Sequence, residues 1–162
     1  PPPIVETRGN DNQMKKDIGA SVPAGANFTW KPFKMALSNK KIEDLKLLLE
    51  KGVDLKFTNQ NGENCIFQLT AGVIGGDNDE KSAVMAGMLV EKGAEVNVKN
   101  KFGQTALMMA AKYGNVPLMK FLVEKGAEVN ARSDKGMTAL GYAKNAGQEE
   151  SVKYLVSVNA AE

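Results

Sequence analysis

The sequence predicts an all-α repeat protein, a solenoid of stacked helix-turn-helix units, and three observations carry that prediction. The segment from Asn97 to Val129 superimposes on the segment beginning at Asn130 at a spacing of 33 residues, matching Gly103 with Gly136, Thr105 with Thr138, Leu107 with Leu140, Ala110 with Ala143, Gly114 with Gly147 and Leu122 with Leu155. Self-similarity at such a period is the mark of a repeat architecture. Gly52, Gly93 and Gly126 mark one common point in three successive units. Finally, Leu118, Phe121 and Leu122, with their counterparts Met85, Met88 and Leu89, recur at i, i+3 and i+4, the spacing of a buried helical stripe. One such unit cannot bury its apolar face alone, so stacking closes a single elongated core.

Residues 1–27 hold Pro1, Pro2, Pro3 and Pro23, three glycines and polar neighbours without a sustained period, and read as a tail or linker expected to lie against the repeats or a neighbour. In the first unit, residues 28–55, Pro32 is expected in the first helical turn, where its missing N–H costs nothing. Trp30 is expected to plug the exposed end of the core. The second unit, residues 56–96, is longer than its neighbours, because Gly52 and Gly93 stand 41 residues apart whereas Gly93 and Gly126 stand 33 apart. Its two halves align without gaps on the third unit, which confines the extra length to about residues 70–82. That Gly-rich, then acidic stretch reads as an extended loop between the paired helices or as a lengthened, fraying first helix.

The third unit, residues 97–129, and the fourth, residues 130–162, carry the clearest local signals. Thr105 and Thr138, like Asn64 in the second unit, are N-cap candidates for a first helix. Gly114 and Gly147 stop those helices, Pro117 starts the next one, and Glu149 and Glu150 suit a helix N-terminus. Both end units look like caps with a polar outer face, through Lys40, Lys41, Glu43, Asp44 and Lys46 at one end and Glu149, Glu150 and Lys153 at the other.

The period of 33, Gly-x-Thr-Ala-Leu and Leu-Val-Glu-Lys-Gly-Ala-Glu-Val-Asn together resemble the ankyrin repeat over residues 28–162. The resemblance implies β-turn fingers ahead of the helix pairs, except in the first unit, which lacks one, together with a protein-binding role and no chemistry of its own. The sequence departs from the family's Thr-Pro-Leu-His, writing Thr105-Ala106-Leu107-Met108, Thr138-Ala139-Leu140-Gly141, Asn64-Cys65-Ile66-Phe67 and Lys31-Pro32-Phe33-Lys34. With no histidine to bond turn to helix, Met108 and Phe67 are expected to substitute packing.

Composition narrows the chemistry. The chain of 162 residues is 43% hydrophobic and 25% charged, the balance of a globular protein, and no apolar run is long enough to span a bilayer. Its net charge of +2, with 21 cations scattered among 19 anions, argues against nucleic acid as a partner. The absence of histidine removes the usual general base, zinc ligand and nucleophile pairings. Asp77-Asn78-Asp79-Glu80 has a superficial likeness to a calcium loop but lacks its glycine and distal glutamate, and reads as a solvated loop tip. Cys65 stands where other units have Ala106 and Ala139, so it reads as a small packing residue. Gly75-Gly76 has no phosphate-loop follower, and the glycosylation triplet Asn27-Phe28-Thr29 is of a kind that arises by chance. No catalytic residue, metal site or cofactor is expected.

Carried onto aligned positions, the resemblance implies a concave binding surface of turn fingers and exposed first-helix residues. These are Gln60, Asn61 and Glu63 in the second unit, Lys101, Phe102, Gln104, Lys112 and Tyr113 in the third, and Asp134, Lys135, Met137, Asn145 and Ala146 in the fourth. Phe102, Tyr113 and Met137 place hot-spot residue types at surface positions, the alternative being packing between neighbouring fingers. Val73 and Ile74 in the insertion add apolar side chains beside the same face. The expected function is that of an inhibitor or regulator, monomeric when free, which occludes a partner enzyme; a cytoplasmic scaffold or host-directed effector using the same face is the alternative. The opening Pro1-Pro2-Pro3 without an initiator methionine suggests that a preceding segment was removed; if that segment was a signal peptide, an exported, periplasmic location in a bacterium is expected, with a cytoplasmic one as the alternative.

Overall fold

The computed structural model describes residues 30–70 and 77–160, and within them four helix pairs. They are α1 (Trp30–Ser38) with α2 (Ile42–Glu50), α3 (Phe67–Thr70) with α4 (Asp77–Glu91), α5 (Ala106–Tyr113) with α6 (Val116–Glu124), and α7 (Ala139–Asn145) with α8 (Glu149–Ser157). The first helices pack in the order α1, α3, α5, α7 and the second helices in the order α2, α4, α6, α8, so two helical layers run the length of the solenoid. Among the described residues there is no strand, and no helix is long and apolar enough to cross a membrane.

Between the layers lies one continuous core that includes Phe33, Leu37, Leu45, Ile66, Leu69, Met85, Leu89, Leu107, Leu118 and Leu122, all at most 2% exposed. The expected stripe is corrected in one respect. Phe121 and Met88 are only half-buried, and the fully buried neighbours are Met119 and Ala86. Because α6 is wedged between α4, α5 and α8, its apolar face must be wider than one line of i, i+3, i+4 contacts.

Local caps define the helix ends. Thr105 Oγ1 accepts from the Met108 N–H at 3.3 Å, and the Thr105 N–H donates to Met108 Sδ at 3.4 Å. A thioether therefore closes the box in place of an oxygen, which is bonding as well as the packing expected of Met108. Thr138 Oγ1 likewise accepts from the Gly141 N–H at 3.3 Å. Asn64 differs: its Oδ1 accepts from the Ile66 N–H at 3.2 Å, and a tight turn of i to i+3 bonds follows before α3 begins at Phe67. Gly114 ends α5 at φ 75°, and Asn115 caps α6 by accepting from the Leu118 N–H at 3.1 Å, with Pro117 in the first turn.

Two expectations change. Asp77–Glu80 is the opening of α4, which runs 15 residues, so the lengthening falls partly on the second helix and not on a loop tip. Acidic side chains at a helix N-terminus are favoured by the helix dipole. Lys40, expected on a solvated end face, is only 7% exposed; its Nζ donates to the Leu69 carbonyl at 3.0 Å and so satisfies a carbonyl at the end of α3. The expectations for the tail at residues 1–27, for Val73 and Ile74, and for the Trp30 side chain lie outside the described residues.

Candidate functional site

Each helix pair from the second to the fourth is preceded by a tight finger. In the third unit the Asn100 N–H donates to the Gln104 carbonyl and the Gly103 N–H to the Asn100 carbonyl, both at 2.9 Å. Asn100 Oδ1 then accepts from the N–H groups of Phe102 and Gln104, each at 3.0 Å, while Asn100 Nδ2 donates to Gln104 Oε1 at 3.0 Å. Asn59 does the same in the second unit, accepting from Asn61 at 2.8 Å and Glu63 at 3.1 Å and donating to Glu63 Oε2 at 2.8 Å. Asparagine is suited to this because its amide mimics a backbone turn.

Neighbouring fingers are also bonded to each other. The Lys101 N–H donates to the Asn61 carbonyl at 2.8 Å, and the Asp134 N–H to the Phe102 carbonyl at 3.0 Å. Close approach is permitted by Gly103, at φ 68°, because a Cβ there would stand 2.8 Å from the Asp134 nitrogen. The fingers are thus a continuous, rigid edge, and Phe102 is held at its tip with 52% of its surface exposed.

Between finger tips and first helices of the third and fourth units lies a cleft of about 540 Å³. Phe102, Gln104, Asp134, Lys135 and Met137 line its finger side, and Lys112, Tyr142, Asn145 and Ala146 line its helix side. All but Tyr142 are positions where the alignment places the binding surface. Tyr142 is only 9% exposed and aligns with the buried Met109; its one signal in the sequence is a hydroxyl at a core position. That hydroxyl accepts from Gln104 Nε2 at 2.9 Å and donates to Ser133 Oγ at 3.4 Å.

Other expected contact residues lie elsewhere. Lys101 and Tyr113 are exposed but outside the cleft, Lys101 with its Nζ 5.0 Å from the Phe102 ring centre and Tyr113 with the Lys112 Nζ 5.5 Å from its own. Gln60 is exposed on the finger of the second unit, half-buried Asn61 accepts from the Lys101 N–H of the next finger, and half-buried Glu63, like Gln104 within the cleft, closes its own finger. Met137 is half-buried, its Sδ 3.9 Å from Asn145 Nδ2. The cleft offers one carboxylate, Asp134, and two ammonium groups, Lys112 and Lys135, a set suited to recognition. Among the described residues no group of three or more His, Cys, Asp or Glu is placed to hold a metal ion.

Residues 77–162 match the family model described as ankyrin repeats in three copies, which is more than half of the chain. The chain belongs to the ankyrin repeat family. Comparison with curated proteins finds no match. Ankyrin repeats form a non-catalytic interaction fold, and this chain is accordingly a protein–protein interaction module. Within the ankyrin match lie both fingers and both helix pairs that build the cleft, whereas α1 and α2 precede it.

Proposed function

We propose that this ankyrin protein is an inhibitor or regulator that covers a partner enzyme, one copy of the chain engaging it through the cleft face of the third and fourth units. The observation that carries the reading is Phe102, a large apolar side chain kept 52% exposed on a finger whose backbone is bonded on both sides. A rigid, exposed aromatic loses little freedom on binding and is a typical interface anchor. Phe102→Ala combined with Tyr113→Ala should weaken a purified, affinity-captured partner by more than about 2 kcal/mol, measured by titration calorimetry. Unchanged affinity would remove this surface from the account. If the partner is an enzyme, its activity should fall in proportion to the fraction bound; full activity at saturation would favour the scaffold or effector reading through the same face.

An exported, periplasmic setting belongs to the same proposal. Burial pushes the Cys65 thiol up to about 12, so it stays protonated, which is compatible with an oxidising compartment and equally with a reducing one. Fractionation of the native host tests this, since recovery only with cytoplasmic proteins would overturn it.

A further inference from the structure

We infer that the segment this cleft recognises is an acidic one, in which a large apolar side chain is flanked by carboxylates. The inference rests on the reading of this face as the partner-binding surface and adds the chemistry of what enters it. The floor is formed by its least exposed members, Tyr142, Gln104 and Met137. Their polar groups are already engaged: the Tyr142 hydroxyl bonds Gln104 and Ser133, and Gln104 Oε1 accepts from Asn100. A polar group pushed onto that floor would lose water and find few partners, whereas an aliphatic or aromatic one would meet a ring and a thioether.

The rim has the opposite character. Lys112 and Lys135 are exposed, and neither makes an ion pair with a described residue. Against them stands only Asp134. Rim charge of one sign selects partners of the other and speeds their encounter. The volume of about 540 Å³ has room for a bulky side chain and its neighbours, and Tyr113 beside Lys112 continues the apolar surface past the cleft, which suits a peptide segment better than a small molecule.

Selection of a random peptide display library on the immobilised full chain tests the proposal. The enriched peptides should carry Phe, Leu, Ile, Met or Trp with Asp or Glu within two positions. A synthetic peptide of that consensus should bind at least about tenfold more weakly to Lys112→Glu/Lys135→Glu, a change at exposed positions that leaves the circular dichroism unaltered. Replacing its acids by lysine should abolish binding to the unaltered chain. Neutral or basic consensus peptides, no enrichment, or affinity indifferent to the double charge reversal would each overturn the acidic assignment. Loss on Phe102→Ala together with indifference to the charge reversal would leave the surface standing and remove only its charge preference; indifference to both would remove the surface as well.

Discussion

Burial shifts the titrations of Cys65 and Lys40, besides raising that of Tyr154, and the first two act on stability in opposite directions. The Cys65 thiol is pushed from 9.0 up to about 12 by loss of solvent, so above about pH 9 the unfolded chain releases a proton that the folded one keeps, and stability falls as pH rises through that window. Lys40 is lowered from 10.5 to about 8, desolvation outweighing the attraction of Asp79. Between those values the folded chain gives up the proton first, and stability rises with pH. Chemical denaturation from pH 7 to 11 should therefore show Cys65→Ala gaining on the unaltered chain above pH 9, since alanine already serves at the equivalent Ala106 and Ala139. Lys40→Met should lose ground between pH 8 and 10.5. A pH-independent difference for either variant would contradict the burial assigned to it. Ser151 is a separate case: it occupies the core position of Leu118 and Met85, fully buried, with Oγ lacking a partner. Ser151→Ala should raise stability by about 1 kcal/mol in the same assay, because an unpaired buried hydroxyl is removed. Caps such as Thr105 and Thr138 were legible in the sequence because capping depends on residues three apart. The burial of Lys40 was not, since its partner Leu69 lies 29 residues away and lysine by itself suggests solvent.

At the scale of elements, spacing revealed the helix pairs and their stops, while chemistry within the insertion misled. Asp77–Glu80 looks like a loop tip in isolation, yet acids at the start of a helix followed by Met85 and Leu89 on a core stripe continue α4 backwards. The finger is the element on which the site depends, and its glycines are not equivalent. Gly103 and Gly136 both adopt positive φ, 68° and 75°, but a Cβ on Gly103 meets the Asp134 side chain and backbone while one on Gly136 meets nothing within 4 Å. Either substitution to alanine carries about 1–2 kcal/mol of left-handed strain. Gly103→Ala should cost at least about 1 kcal/mol more than Gly136→Ala in thermal or chemical unfolding, since the fingers must separate to admit it. Equal losses would mean that the finger-to-finger bonding is not a stabilising feature. Finger membership was readable for Phe102, Asp134, Lys135 and Met137 through alignment alone. What alignment could not separate was a side chain that faces outward from one, like Glu63 or Gln104, that closes its own turn on Asn59 or Asn100.

For the whole molecule, the fold and the function are joined by the geometry of repetition. Stacked pairs bury one core from Phe33 to Leu155, and that core holds successive fingers in register so that residues more than thirty apart in the chain, Phe102 and Met137 among them, line one cleft. Tyr142 escaped the sequence reading because its role arises between units: the hydroxyl links Gln104 of the third unit to Ser133 of the fourth, a contact that no single repeat contains. Hydrogen exchange of the chain alone and with its captured partner tests the central claim most directly. Binding should slow exchange of the exposed finger and first-helix amides around Phe102, Asp134, Lys135 and Asn145, leaving the outer faces of α6 and α8 unchanged. Protection confined to α6 and α8, with the fingers unaffected, would contradict it.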